Sequence, residues 1–189
     1  MKKILMTLAA ILCCAMTMTL FTACGDDDDN GNKKPVDVAT SGVMECQLYT
    51  SDETLTSFDF YVKYYDENGQ VKNEKVVWPE QKTSEGVRTW TKKVVQKLPA
   101  TLGIFVEIKA KDGIDMNAQY YIAHGYNVTF TSLSKSGDVL DLYPVNGNYV
   151  VSHNRAGMLE DFLREEGRFL NIIYKYDING KGAGTGKLE

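Results

Sequence analysis

From about residue 43 onward, apolar and polar side chains alternate with a period of two. That pattern restricts the chain to β-strands with one face buried. In the run from Phe58 to Tyr65, Phe58, Phe60, Val62 and Tyr64 share one face, while Asp59, Tyr61, Lys63 and Tyr65 share the other. Asn68-Gly69 follows as a hairpin turn, and Val71 to Trp78 reads as the partner strand, ended by Pro79. Val87 to Leu98 forms the next strand. Leu102, Ile104, Val106, Ile108 and Ala110 then alternate with Gly103, Phe105, Glu107 and Lys109, the clearest in-and-out strand of the chain. An earlier strand places Met44, Cys46 and Leu48 on one face. Tyr120 to Ala123, Tyr126 to Leu133, Val139 to Leu142 and Asn148 to Ser152 read as four further short strands, and Phe169 to Ile178 as the last one.

One helix is expected. Met158 with Phe162 and Leu159 with Leu163 are i,i+4 pairs, the intervening residues are polar, and Gly167 is placed to end the turn. About seven to nine strands with regular turn signals predict an all-β fold, an antiparallel β-sandwich of immunoglobulin-like architecture with one short helix before the last strand. The paired cysteines of antibody domains are missing, and a small barrel is the alternative.

The N-terminus follows a different logic. Met1-Lys2-Lys3 precedes an uncharged, largely apolar stretch that runs to Phe21. A basic end, an apolar middle and small residues before a cut site make a secretory signal. The stretch closes on Leu20-Phe21-Thr22-Ala23-Cys24-Gly25, which resembles the lipobox of bacterial lipoproteins, with Phe21 where Leu or Val is usual. The resemblance implies cleavage between Ala23 and Cys24, diacylglycerol on the Cys24 thiol and acylation of the new amine. Two or three acyl chains, at ~0.8 kcal/mol per buried methylene, make a stable membrane anchor. Next come Asp26, Asp27, Asp28 and Asp29, in a stretch with no apolar residue that cannot form a core. An acidic run just behind the lipid cysteine is similar to the export signal of surface-exposed Bacteroidota lipoproteins. It implies an outer-membrane protein facing the cell exterior, with a periplasm-facing orientation as the alternative. Residues 1–23 are thus read as signal peptide, 24–42 as an acidic disordered tether, 43–179 as the sandwich, and 180–189 as a flexible Gly-rich tail.

Charge narrows the partners. The net charge is −4, and four of the 25 acids are the run Asp26 to Asp29 in the tether, so the folded part is nearly balanced. It carries no basic stripe of the kind that binds nucleic acid, and nucleic acid is not an expected partner. Of four cysteines, Cys13 and Cys14 leave with the signal and Cys24 takes the lipid. Cys46 remains alone, without a disulfide partner in its own chain, and is read as a buried structural thiol.

Motifs for chemistry are scarce. His124 and His153 stand in no metal-ligand spacing, and no cofactor or metal is expected. The tail from Gly180 fails as a phosphate loop and, counted from Asp177, fails as a calcium loop, because Lys181 and Leu188 fall where ligands belong. Glu160, Asp161, Glu165 and Glu166 read as the wet side of the helix. What remains is aromatic. Among 11 tyrosines and two tryptophans, Tyr61 and Tyr65 lie opposite the Phe58 stripe and Phe105 opposite the Leu102 stripe, a candidate aromatic binding surface. These features lead to the expectation of a lipid-anchored, non-catalytic domain that binds a protein or a glycan. An extracellular hydrolase acting on polymers and a small-barrel ligand carrier or inhibitor are the alternatives.

Overall fold

The computed structural model describes residues 37–83, 86–153, 157–165 and 167–188. The signal peptide, the lipobox with Ala23 and Cys24, and Asp26 to Asp29 lie outside them.

Among the described residues nine strands and two helices follow in the order β1 (Ala39–Ser51), α1 (Asp52–Ser57), β2 (Phe58–Tyr65), β3 (Val71–Lys75), β4 (Val87–Lys97), β5 (Ala100–Ala110), β6 (Tyr120–Ser134), β7 (Val139–His153), α2 (Met158–Glu165), β8 (Leu170–Tyr176) and β9 (Gly182–Gly184). They form two antiparallel sheets. One has four strands in the order β4-β1-β6-β7, the other five in the order β3-β2-β5-β8-β9. The all-β, two-sheet expectation holds. Among the described residues each sheet keeps two free edges, and these strands form two open sheets rather than the small barrel that was the alternative. Immunoglobulin domains order their strands ABED against CFG. Here the β6–β7 hairpin instead extends the β1 side, and β8–β9 extends the β5 side.

Alternation sets which residues enter the core. Met44, Cys46 and Leu48 of β1, Phe58, Phe60, Val62 and Tyr64 of β2, and Leu102, Ile104, Val106 and Ile108 of β5 are all buried. The β2–β3 turn is closed by Asp66, whose Oδ1 accepts from the amides of Asn68 (2.9 Å) and Gln70 (2.8 Å). Gly69 there has φ +73°, a conformation that favours glycine. The Gln70 and Asn68 amides hold the Asp66 carboxyl below the usual carboxylate range.

In five places the structure departs from the sequence reading. β1 begins at Ala39, inside the stretch taken as tether, because Ala39 pairs with Ser134 and is itself buried. β6 and β7 are single 15-residue strands where four short ones were expected. Helix α1 was not foreseen. It is only six residues long, too short to show a helical period, and is started by Ser51, whose side chain accepts from the Thr54 amide (3.2 Å). In α2, Leu159 and Phe162 are buried as expected, but Met158 is exposed.

The fifth departure is the tail. Residues 182–184 pair with β8, the Thr185 amide donates to the Ile173 carbonyl (2.9 Å), and the Leu188 amide donates to Asn171 Oδ1 (2.6 Å). Leu188 is buried. Glycine-rich composition implies flexibility, but the free edge of β8 offers unpaired backbone groups, and the tail satisfies them. Glycine also fits beside the rings of β8. A methyl on Gly182 would come within 2.2 Å of the Tyr174 ring. Asp177, first residue of the discarded calcium loop, spends its carboxylate on the turn, accepting from the amides of Asn179 and Lys181 (2.8 and 2.9 Å).

Candidate functional site

The expected aromatic surface lies on the outer face of the five-stranded sheet. Tyr61 and Tyr65 are half-buried there. Phe105 is on the same face but only 8 % exposed, which removes it from an open platform. Two features occupy this face. Lys63 Nζ stands 5.5 Å from the Phe105 ring centre and Lys109 Nζ 5.0 Å from that of Tyr61. The tail also reaches Asn171, which sits opposite Phe105 in the β5–β8 ladder. The face is crowded with charge as well, for Asp59 pairs with Lys75 and Glu107 with Lys109 and Arg168. The lysines that stand over Phe105 and Tyr61, and the tail residue that reaches Asn171, come from other strands or distant positions in the sequence.

Cys46 sits in the core, and burial pushes its thiol well above the usual range, away from the reactive thiolate. The two histidines are separated by the ladder register. His124 pairs with Tyr149 and His153 with Tyr120, four positions along the strand, or ~13 Å at ~3.3 Å per residue. Among the described residues no three metal-ligating side chains converge.

A concave site forms elsewhere, at the β7 edge of the sandwich. His124, Tyr126, Gly147, Asn148 and Phe169 line a recess of about 150 Å³. Alternation along β6 turns His124 and Tyr126 toward the opposing sheet, where Phe169, just ahead of β8, meets both. The His124 and Phe169 rings are 4.1 Å apart at 33°, and Tyr126 and Phe169 stack at 5.8 Å. Phe60 supports the pair from below at 6.4 and 6.3 Å, and Trp78 packs edge-on against Phe60 at 5.1 Å. A glycine makes the room. Gly147 faces Tyr126 across the ladder, and a methyl there would come within 2.8 Å of the tyrosine ring. Gly125 faces Asn148 on the outer side of the sheet, away from the recess, and a methyl there would come within 2.3 Å of the carboxamide oxygen.

The wall of the recess is uncharged. Burial pushes the His124 pKa down to about 3, so the imidazole is neutral at physiological pH, and burial raises that of the Tyr126 phenol. Among the residues that line the recess, none is acidic. At ~30 Å³ per water, the space equals about five waters, below the ~300 Å³ at which drug-sized pockets begin. It suits one ring-sized group with an apolar face for Phe169 and Tyr126 and with hydroxyls for neutral donors and acceptors. No signal in the sequence marked this set, because its members come from β6, β7 and the approach to β8.

Beside the recess runs an open edge. β3 and β4 carry Lys72, Glu74 and Lys75, and Arg88, Lys92, Lys93 and Lys97, charges that discourage strand pairing, and β9 is three residues long. β7 is long, and Asp141 is its single acidic or basic side chain apart from the terminal His153. Val139, Leu140, Leu142 and Tyr143 are exposed on it, with Tyr143 stacked on Tyr174 at 4.7 Å. Pro144 lacks an N–H and interrupts the edge.

Compared with protein-family models, with curated proteins and with solved structures, the chain matches none.

Proposed function

We propose that this chain is an outer-membrane lipoprotein, anchored through Cys24 and facing the cell exterior, whose β-sandwich is a non-catalytic glycan-binding domain. The observation that carries the binding role is the neutral, aromatic-walled recess of His124, Tyr126, Asn148 and Phe169. Stacking of a sugar ring on an aromatic face and hydrogen bonds from neutral groups together suit an uncharged pyranose. A glycoside hydrolase of the usual kind needs two carboxylates across its substrate. The recess supplies none, and an imidazole of pKa about 3 is a weak base. The two antiparallel sheets support the sandwich reading, and their strand order differs from that of immunoglobulin domains.

The glycan reading is tested by an array of neutral and charged oligosaccharides probed with wild type and Phe169→Ala. Binding by the wild type that the variant loses supports it, and an empty array ends it. The anchor is tested by metabolic labelling with an alkynyl fatty acid, which Cys24→Ser abolishes, and by protease shaving of intact cells, which removes the domain only if it faces outward.

The β7 edge favours a second reading, a protein partner that adds a strand. Leu142→Lys would abolish capture of such a partner and leave glycan binding unchanged.

A further inference from the structure

We propose that the mouth of the sandwich between β7 and β9 is a binding site for a primary ammonium group on an apolar stem, with Asp141 as its counter-charge. The site stands apart from the glycan recess. Asp141 lies six positions along β7 from Gly147, or ~20 Å at ~3.3 Å per residue.

Register builds the site. Gly42, Ser132 and Asp141 are successive cross-strand partners on β1, β6 and β7. Their row faces the opposing sheet, because a methyl on Gly42 would meet Ala100, Leu102 and the Tyr176 ring. Two positions beyond Asp141, on the same side of β7, stands Tyr143. Its ring stacks on Tyr174 at 4.7 Å, and Tyr174 stacks on Phe130 at 5.2 Å. The three rings run from core to surface, and Tyr143 ends the stack exposed. The facing edge, β9, is Gly182-Ala183-Gly184, which sets no side chain larger than a methyl beside Tyr174 and Tyr176.

Asp141 differs from the other carboxylates of the fold. Among the described residues Asp52, Asp59, Asp66, Glu74 and Glu107 are also at least partly withdrawn from water, and each is paired with a lysine or arginine. Asp141 is partly withdrawn too, and among the described residues no cation pairs with it. Its charge reaches the neighbouring rings. Burial first, and then the Asp141 carboxylate, push the Tyr174 and Tyr176 phenols up. Two buried oxygens in the same place are unspent. Ser132 Oγ and Tyr176 Oη have no hydrogen-bond partner among the described residues, a costly state for buried polar atoms. An ammonium has three N–H donors and no acceptor. Asp141, Ser132 and Tyr176 offer it acceptors, and the exposed Tyr143 ring offers its stem an apolar surface that also attracts the cation. A divalent metal ion takes six or more oxygens, several of them carboxylate, so a single acid suits an organic cation better. The ammonium can be that of a free alkylamine or of a partner's lysine side chain.

The test titrates isotope-labelled full-length protein, extracted in detergent, with n-butylamine, with N-acetyl-lysine methylamide and, as the neutral match, with 1-butanol. NMR follows the amides of Ser132, Asp141 and Tyr176. The expected result is a saturable shift with at least one amine and none with butanol or equimolar sodium chloride. Asp141→Asn should weaken amine binding at least about tenfold. It should also melt no lower than wild type, because it removes an unpaired, partly buried charge. Asp138→Asn, an exposed acid near the start of β7, is the control and should bind as wild type does. Tighter binding of the lysine probe assigns the site to a partner's lysine, and tighter binding of butylamine assigns it to free alkylamines. The proposal is overturned by no saturable shift with either amine, by equal shifts with sodium chloride, by full binding in Asp141→Asn, by an equal loss in Asp138→Asn, or by a lower melting temperature of Asp141→Asn. None of these results bears on the glycan reading, which Phe169→Ala tests separately.

Discussion

Replacing His124 by Phe should make the protein markedly more resistant to mild acid. Folded, His124 has a pKa of about 3, lowered by burial between Phe60 and Phe169. Unfolded, it returns to ~6.5. The folded value is the lower one, so as pH falls below ~6.5 the unfolded chain takes up a proton that the folded chain refuses. Stability is therefore lost progressively from about pH 6.5 down to about pH 3. At most this amounts to ~1.4 kcal/mol per pH unit, and by pH 5 the accumulated loss is ~2 kcal/mol. Phe keeps a planar ring of similar size against Phe169 and has nothing to protonate. Urea unfolding of the mature chain carrying Cys24→Ser, followed by fluorescence of Trp78 and Trp90, gives the stability of each protein at pH 7.5 and pH 5.0. Every other ionisable side chain is the same in both proteins, so its contribution cancels in the difference. Wild type should lose ~2 kcal/mol more than His124→Phe over this interval. Equal losses, within ~0.5 kcal/mol, would refute the buried neutral imidazole.

Other expectations follow from the same geometry. Because His124 and Tyr126 keep their protonation states across the neutral range, ligand binding at the recess should be flat from about pH 5 to 8 by calorimetry. Gly147→Ala drives a methyl against the flexible end of Tyr126, so it should cost under ~2 kcal/mol of stability in urea unfolding while closing the recess to ligand. Leu188→Ala should cost ~2 kcal/mol in the same assay, and no loss would mean that the tail is not docked. Among the described residues the buried indole N–H of Trp78 has no hydrogen-bond partner, so Trp78→Phe should cost no more than ~1 kcal/mol. A larger loss would point to an acceptor for that N–H.

Much of the sandwich is written locally. β2 and β5 are legible because alternation with a period of two is a property of neighbouring residues, and one face of each strand meets the core. The same holds for α2, where Leu159 and Phe162 repeat at helical spacing. Where local signals misled, a distant partner changed their meaning. Gly125 reads as a break in β6 until Asn148 is seen to occupy the space a side chain would fill. Pro144 and Gly147 read as the gap between two short strands, yet β7 runs through them, since a proline is tolerated at the sheet edge and a bare glycine leaves room for Tyr126.

By itself, then, the sequence determined the β class, the inward and outward faces, the single helix before β8, and the absence of spaced metal or nucleophile motifs. Tertiary structure alone decided which sheet each strand joins, that Phe105 is covered, that the glycine-rich tail is an edge strand, and that His124, Tyr126, Asn148 and Phe169 share one recess. The physical reason is range. Periodicity and turn chemistry act over a few neighbouring residues. Strand pairing and ring stacking join positions tens of residues apart, and nothing local marks which ones will meet.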